Sequence, residues 1–207
     1  MAKGSRGGRR AGGGRVNPGD ILSTRDMLSE RHNNPLVDEV LTVSKNLRDE
    51  YGLSADVYEF QIAKLKSKSN AIAYYDGANI AVNEKFMKAD TINKAYDECV
   101  KQGFHPSKGN KTAMEAVASH EFGHAINDAI GRKMGLDIDS SATKIVNEAR
   151  KQTKHRGVVQ MASKISGYAT YSNAEAIAEA VSDVYCNGKK ARSESKAIVN
   201  VVKSYLN

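Results

Sequence analysis

The chain has no tryptophan, 6% aromatic residues, three prolines and two cysteines among its 207 residues. Two cysteines cannot make the disulfide framework of a small secreted scaffold, so Cys99 and Cys186 are read as free thiols in a reducing compartment. No apolar run approaches the roughly 20 residues that a membrane span needs. The first stretch, MAKGSRGGRRAGGGRVNPGD, carries basic residues but no apolar segment with a small-residue cleavage site behind it. It is therefore not read as a signal peptide, and a cytoplasmic location is expected, with specialised export left open. With so few aromatics the core must be built from Ala, Val, Ile and Leu, and a hydrophobic content of 40% suffices for one domain.

Charge is unevenly placed. The formal net charge is +7, and residues 1–15 hold Lys3, Arg6, Arg9, Arg10 and Arg15 with no acid, which leaves 7 − 5 = +2 for the rest. Residues 1–20 are thus expected to form a disordered Gly/Arg-rich tail and residues 21–207 a nearly balanced folded domain. Nucleic acid is a second reading of the tail, weakened because no aromatic residue is interleaved to stack on bases.

Along the folded part, Asn34 and Pro35 start a helix whose apolar stripe runs through Leu36, Val40, Leu47 and Tyr51 and ends at Gly52. A strand is expected over 54–60. Asp76-Gly77 between two β-prone runs predicts a hairpin over Ala71–Asn83. A helix over 87–101 and a loop marked by Gly103, Pro106 and Gly109 follow. Thr112 and Glu115 have the spacing of a capping box, which starts a further helix with its exit at Gly131 and Gly135. Three more helices are expected over 141–153, 173–187 and 194–206. Residues 157–172 have no clear periodicity. The fold class is α+β, mostly helical, with a small sheet ahead of the central helix.

That central helix carries SHEFGHAIND, Ser119 to Asp128. Residues four apart on a helix lie one turn above each other, so His120 and His124 can offer two imidazole nitrogens to one ion. Glu121 lies about 100° further round, where its carboxylate can reach a water beside that ion. This is the H-E-x-x-H pattern of zinc hydrolases, two ligands and a general base. With 5 His and 12 Glu in the chain, composition alone gives only about 0.007 such matches.

A catalytic zinc needs a third protein ligand and a position left for water. No histidine follows in AINDAIGRKMG, and Asp128 is read as a cap or a solvated residue. The better source is YATYSNAEAIAEAVSDVY, in which Glu175, Glu179 and Asp183 recur every four residues on one helix face. One carboxylate can bind the metal, and another a turn away can accept from the outer nitrogen of a ligand histidine and fix its tautomer. Ser172 and Glu175 also fit a capping box. His105 could approach the rim of the cleft, since its loop precedes the motif helix, but is read first as a plain loop histidine; His32 and His155 are read as surface residues.

The blocks HEFGHAIND and GYATYSNAEAIAEAV resemble the catalytic domain of anthrax lethal factor and related small zincin domains, some of them in phages and mobile elements. The resemblance covers about residues 100–190 and implies a zinc metallopeptidase of the H-E-x-x-H plus Glu type. It implies Zn2+ held by His120, His124 and Glu175, with Glu179 as the acid behind a ligand histidine. Tyr168, seven residues before Glu175, is then the tyrosine that steadies the transition state. A second register, similar to the NEAISD helix of thermolysin-type enzymes, would make Glu179 the ligand and Asp183 its supporting acid. The sequence departs from lethal factor at Ala176 and Ile177, where that protein has two phenylalanines.

The expected activity is hydrolysis of peptide bonds in a protein or peptide substrate, with Glu121 as general base and Tyr168 as hydrogen-bond donor. The hairpin Ala71–Asn83 is the candidate edge for pairing with an extended substrate. The alternative is a catalytically idle zinc-binding partner protein of a phage or mobile element, with the tail on nucleic acid. A toxin-like effector with the same chemistry is a third setting.

Overall fold

The computed structural model describes residues 16–54 and 59–206. The fold is α+β and mostly helical, with one four-stranded sheet. The strands are β1 (Ile21–Asp26), β2 (Glu59–Leu65), β3 (Ala73–Tyr75) and β4 (Asn79–Asn83), in the order β1-β2-β4-β3. The helices are α1 (Pro35–Tyr51), α2 (Ala89–Lys101), α3 (Ala113–Met134), α4 (Ile138–Lys151), α5 (Val158–Ile165), α6 (Asn173–Asn187) and α7 (Ser193–Leu206). No helix among the described residues is long and apolar enough to cross a membrane.

The expected tail falls mostly outside the described residues. Of its last five, 16–20, Val16 and Asp20 engage the fold, while Asn17, Pro18 and Gly19 are exposed. Val16 lies against the outer face of the sheet, and Asp20 sits 3.3 Å from the Lys68 ammonium. Of the strand expected over 54–60, residues 55–58 lie outside the described residues, and from Glu59 the chain is extended as far as Leu65. The hairpin is present as β3 and β4, antiparallel, with Tyr74 opposite Ala81. β2 and β4 run parallel, with Ile62 opposite Val82.

Alternation decides the two faces of the sheet. Ile62, Ala73, Ile80 and Val82 join the main core, while Ala63, Leu65, Tyr74 and Ala81 form a small cluster with Val16 and Ile21 on the other side. β1 has no such alternation, since five of its six residues are exposed. It is held by antiparallel backbone pairing to β2, which leaves no hydrophobic signal in its sequence.

The helix boundaries follow their caps. The Asn34 side chain accepts from Leu36 N–H, and Gly52 closes α1 in the left-handed region at φ 64°. The Thr112–Glu115 capping box is complete in both directions. α3 runs through Gly131 to Met134 and closes at Gly135, the second of the two glycines expected at its exit, in the left-handed region at φ 67°. A Cβ on Gly131 would stand 2.9 Å from the Leu136 carbonyl oxygen, so this glycine serves a close approach inside the helix rather than its end. Residues 157–172 resolve into α5 and a 3-10 turn at Tyr168–Thr170.

α3 is the centre of the molecule, and fifteen of its 22 residues are buried. Before the exposed Arg132 and Lys133 of its last turn, the buried polar groups on this helix must be satisfied by the protein or by something the protein holds. Phe122, Ile126 and Ile130 fill the core beneath it. α6 lies directly against it. A Cβ on Gly123 would be 2.6 Å from Ala178 Cα and 3.3 Å from Val181 Cβ. Gly123 and Ala178 therefore let the two backbones come close.

Gly123→Ala should force α3 and α6 apart, with a loss of about 1–3 kcal/mol, read as a lower melting temperature. An unchanged value would mean the helices give way without strain. A second prediction concerns acid. Glu194, at the start of α7, accepts from His155 Nε2 at 2.7 Å. Burial acts to raise the Glu194 pKa, and the hydrogen bond with His155 outweighs it, so the net shift is downward. Its contribution to stability is then complete above the unfolded value of about 4.3 and is lost as pH falls through the lower folded value. Glu194→Gln should flatten the fall in melting temperature on the acid side, and parallel curves for both proteins would contradict the assignment.

Candidate metal centre

The two motif histidines project from one face of α3, their ring centroids 5.0 Å apart. α6 brings Glu175 opposite them. Its Oε2 lies 3.2 Å from His120 Nε2 and 3.3 Å from His124 Nε2. Among the described residues His120, His124 and Glu175 form a group that can hold a metal ion, one donor atom from each lying within 4.8 Å of the others.

The hydrogen bonding around this group decides what fits it. His120 Nδ1 is 2.8 Å from Glu179 Oε1. An ionised carboxylate only accepts, so Nδ1 carries the proton and Nε2 of the neutral ring presents a lone pair. That lone pair faces Glu175 Oε2, which is itself an acceptor. Neither atom has a hydrogen-bond partner, and neither does Glu121 Oε1. Buried acceptors pointed at one another need a proton or a cation between them. Two imidazoles and a carboxylate are a donor set suited to a divalent ion.

The same field governs protonation. Burial would lower the His120 pKa, but the Glu175 and Glu179 carboxylates on either side outweigh it and raise it, so this point favours a positive charge, which a second ring proton or a cation at Nε2 supplies. Burial would raise Glu175 and Glu179, and the histidines outweigh it, pulling Glu175 well down and Glu179 to about 2. For Glu121 burial prevails over the attraction of His120 and His124, and its pKa is raised. Tyr168 is raised too, by burial and then by the Glu175 charge, so its hydroxyl keeps its proton. That hydroxyl donates to Glu175 Oε1 at 3.2 Å.

The sequence-predicted residues therefore divide. His120, Glu121, His124, Tyr168, Glu175 and Glu179 are gathered at one place. Ser172 accepts the Glu175 N–H at 3.1 Å as a helix cap, while the Glu175 side chain turns to the histidines rather than completing a capping box. Asp183 does not join them, which corrects its reading as a ligand or supporting acid. Its Oδ2 accepts from Ser195 Oγ at 2.6 Å and Arg192 N–H at 2.9 Å, and its Oδ1 from Asn187 Nδ2 at 2.9 Å. Two turns along α6 from Glu175, it ties down the start of α7. In the second register Glu179 would be the ligand; here it lies on the Nδ1 side of His120, away from the ring atom that faces Glu175. Asp128 accepts from Tyr75 at 2.6 Å and pairs with Arg132 at 2.8 Å, which joins the hairpin to α3.

Two further side chains meet at Glu179, one placed by sequence reasoning no nearer than the cleft rim and the other not marked at all. His105, read as a loop histidine, is buried, with Nδ1 2.9 Å from Glu179 Oε1. Ser166 donates to Glu179 Oε2 at 2.6 Å. No spacing rule links a residue before α3 to one on α6, and a serine in an aperiodic stretch carries no signal. His155, read as a surface residue, is half-buried against Glu194. A small pocket lies beside the centre, lined by Ile72, Tyr96, His105, Ala116, Val117, His120, Glu121, Glu179 and Ser182. The chain matches no protein-family model, no curated protein and no solved structure.

Glu175→Ala should abolish stoichiometric metal content, measured by elemental analysis. Asp183→Ala should retain the metal and instead lose about 2–4 kcal/mol of stability, because it leaves the Ser195 hydroxyl and the Arg192 N–H unpaired. Metal loss in the Asp183 variant, with the fold intact, would return that residue to the centre.

Proposed function

We propose that the protein is a zinc-dependent endopeptidase of zincin type, resembling the lethal-factor catalytic domain, with Zn2+ held by His120, His124 and Glu175. One observation carries the reading: His120 Nε2, Glu175 Oε2 and Glu121 Oε1 are all buried beside one another without a hydrogen-bond partner. Two of these belong to the donor set, and the third is a carboxylate that the donor set does not use. A purely structural site has no need of such a group. Two histidines and a carboxylate also suit ferrous iron, but an unpartnered glutamate next to them fits hydrolysis better than oxygen chemistry.

Bound there, zinc would polarise the scissile carbonyl and make a coordinated water acidic near neutrality. Glu121 takes a proton from the attacking water as its oxygen forms the bond to the carbonyl carbon. Its raised pKa suits it to hold that proton and then pass it to the amine nitrogen as the C–N bond breaks. Tyr168 keeps its proton and donates to the carbonyl oxygen as negative charge grows on it. Glu179 keeps the His120 ring in the tautomer that leaves Nε2 free for the metal. The substrate backbone lies along β3, which pairs only with β4 among the described residues and is tied to α3 through Tyr75 and Asp128.

Glu121→Gln should keep one zinc per chain and lower the rate of cleavage of an unfolded test protein by 10²-fold or more, roughly the contribution of a general base. If wild type and variant both bind zinc and neither cleaves anything across a peptide library read by mass spectrometry, the idle-partner reading replaces this one.

A further inference from the structure

His105 has no role in the reading above, and the structure gives it one that rests on that reading. It sits in the loop after α2 and is 7% exposed. An imidazole is costly to bury unless its nitrogens are used. Its Nδ1 is 2.9 Å from Glu179 Oε1, the same oxygen that lies 2.8 Å from His120 Nδ1. The other oxygen accepts from Ser166 at 2.6 Å. Because the carboxylate only accepts, both histidines present an N–H to it. Three donors from three separate segments thus restrain one carboxylate.

The ring of His105 is itself fixed. It stacks on Tyr96, 5.5 Å between centroids and 3° from parallel, and meets Tyr168 edge-on at 5.4 Å. The peptide groups on either side are anchored as well. The Phe104 carbonyl accepts from Tyr168 N–H at 3.0 Å, and the Pro106 carbonyl from the Tyr96 hydroxyl at 3.1 Å. A loop held this firmly is a mount rather than a tether. Take away its N–H, and Glu179 Oε1 keeps a single donor and gains freedom to swing away from His120.

We propose that His105 is a positioning residue for the metal centre, holding Glu179 in the orientation that fixes the His120 ring with Nε2 turned towards Glu175. The test is zinc affinity of the full chain, measured by competition with a chelating indicator, for wild type and for His105→Leu, His105→Asn and His105→Gln. The amide nitrogen of Asn falls where Nδ1 stands, whereas that of Gln falls where Nε2 stands, so Asn alone returns the donor to Glu179. The Leu and Gln variants should bind zinc about 10–100-fold more weakly, and the Asn variant should recover most of the loss. Melting temperatures of the metal-free proteins are taken alongside. A packing role would lower them in all three variants without separating Asn from Gln in affinity. Wild-type affinity in the Leu variant, or equal affinities for Asn and Gln, overturns the proposal. If the Leu variant does not fold, Asn against Gln decides. A wild type that takes up no zinc overturns the proposed function along with this role, a result distinct from a wild type that binds and a Leu variant that binds equally well.

Discussion

The contact between Gly123 and Ala178 is the constraint on which the rest of the molecule turns. α3 and α6 come so close there that a single methyl on Gly123 would lie 2.6 Å from a backbone atom of the facing helix. Only at that separation can carboxylates on α6 reach imidazoles on α3 within hydrogen-bonding range. Glycine sits between the two histidines of the motif, so the residue that permits the approach and the residues that exploit it share one turn of helix.

From that contact the centre is assembled by convergence. α3 supplies His120, Glu121 and His124; α6 supplies Glu175 and Glu179; the 3-10 turn before α6 supplies Tyr168; and the loop after α2 supplies His105. The last two are joined directly, since Gly167 N–H donates to the Gly103 carbonyl at 2.8 Å and Tyr168 N–H to the Phe104 carbonyl. Glu179 is where these pieces meet. It is fully buried and strongly acidic because every oxygen lone pair direction it uses is met by a donor from a neighbouring segment. A charge in that setting is stabilised only while the donors stay in register, which couples the placement of a loop to the orientation of a helix-borne histidine.

Local signals in the chain were read correctly where the responsible physics is local. Asn34-Pro35, Thr112 with Glu115, and Asp76-Gly77 act within a few residues, and the corresponding caps and hairpin are present. The four-residue spacing of His120 and His124 is likewise a property of one helix. Spacing failed where partners come from elsewhere in the fold. Glu175, Glu179 and Asp183 look equivalent on a helical wheel, yet α3 passes the first two and the start of α7 meets the third. Gly131 and Gly135 read alike as exit marks; Gly135 closes α3, and only the returning chain at Leu136 shows why Gly131 lies inside the helix. β1 is silent because backbone pairing, not burial, holds it. The burial of His105 depends on Tyr96, Glu179 and Tyr168 together, three residues that no window of sequence contains.

The unpartnered acceptors around His120 and Glu121 have an evolutionary corollary. A fold that confines lone pairs against one another inside its core is locally frustrated, and relief comes from whatever positive charge settles there. In a relative of this chain that held no ion there, a neutral residue at Glu121 would remove one of the facing lone pairs and raise heat tolerance. Degenerate descendants of this chain would therefore keep their glycine and alanine helix crossing long after their acidic residues had drifted, and would be recognisable by an intact scaffold around an apolar hole.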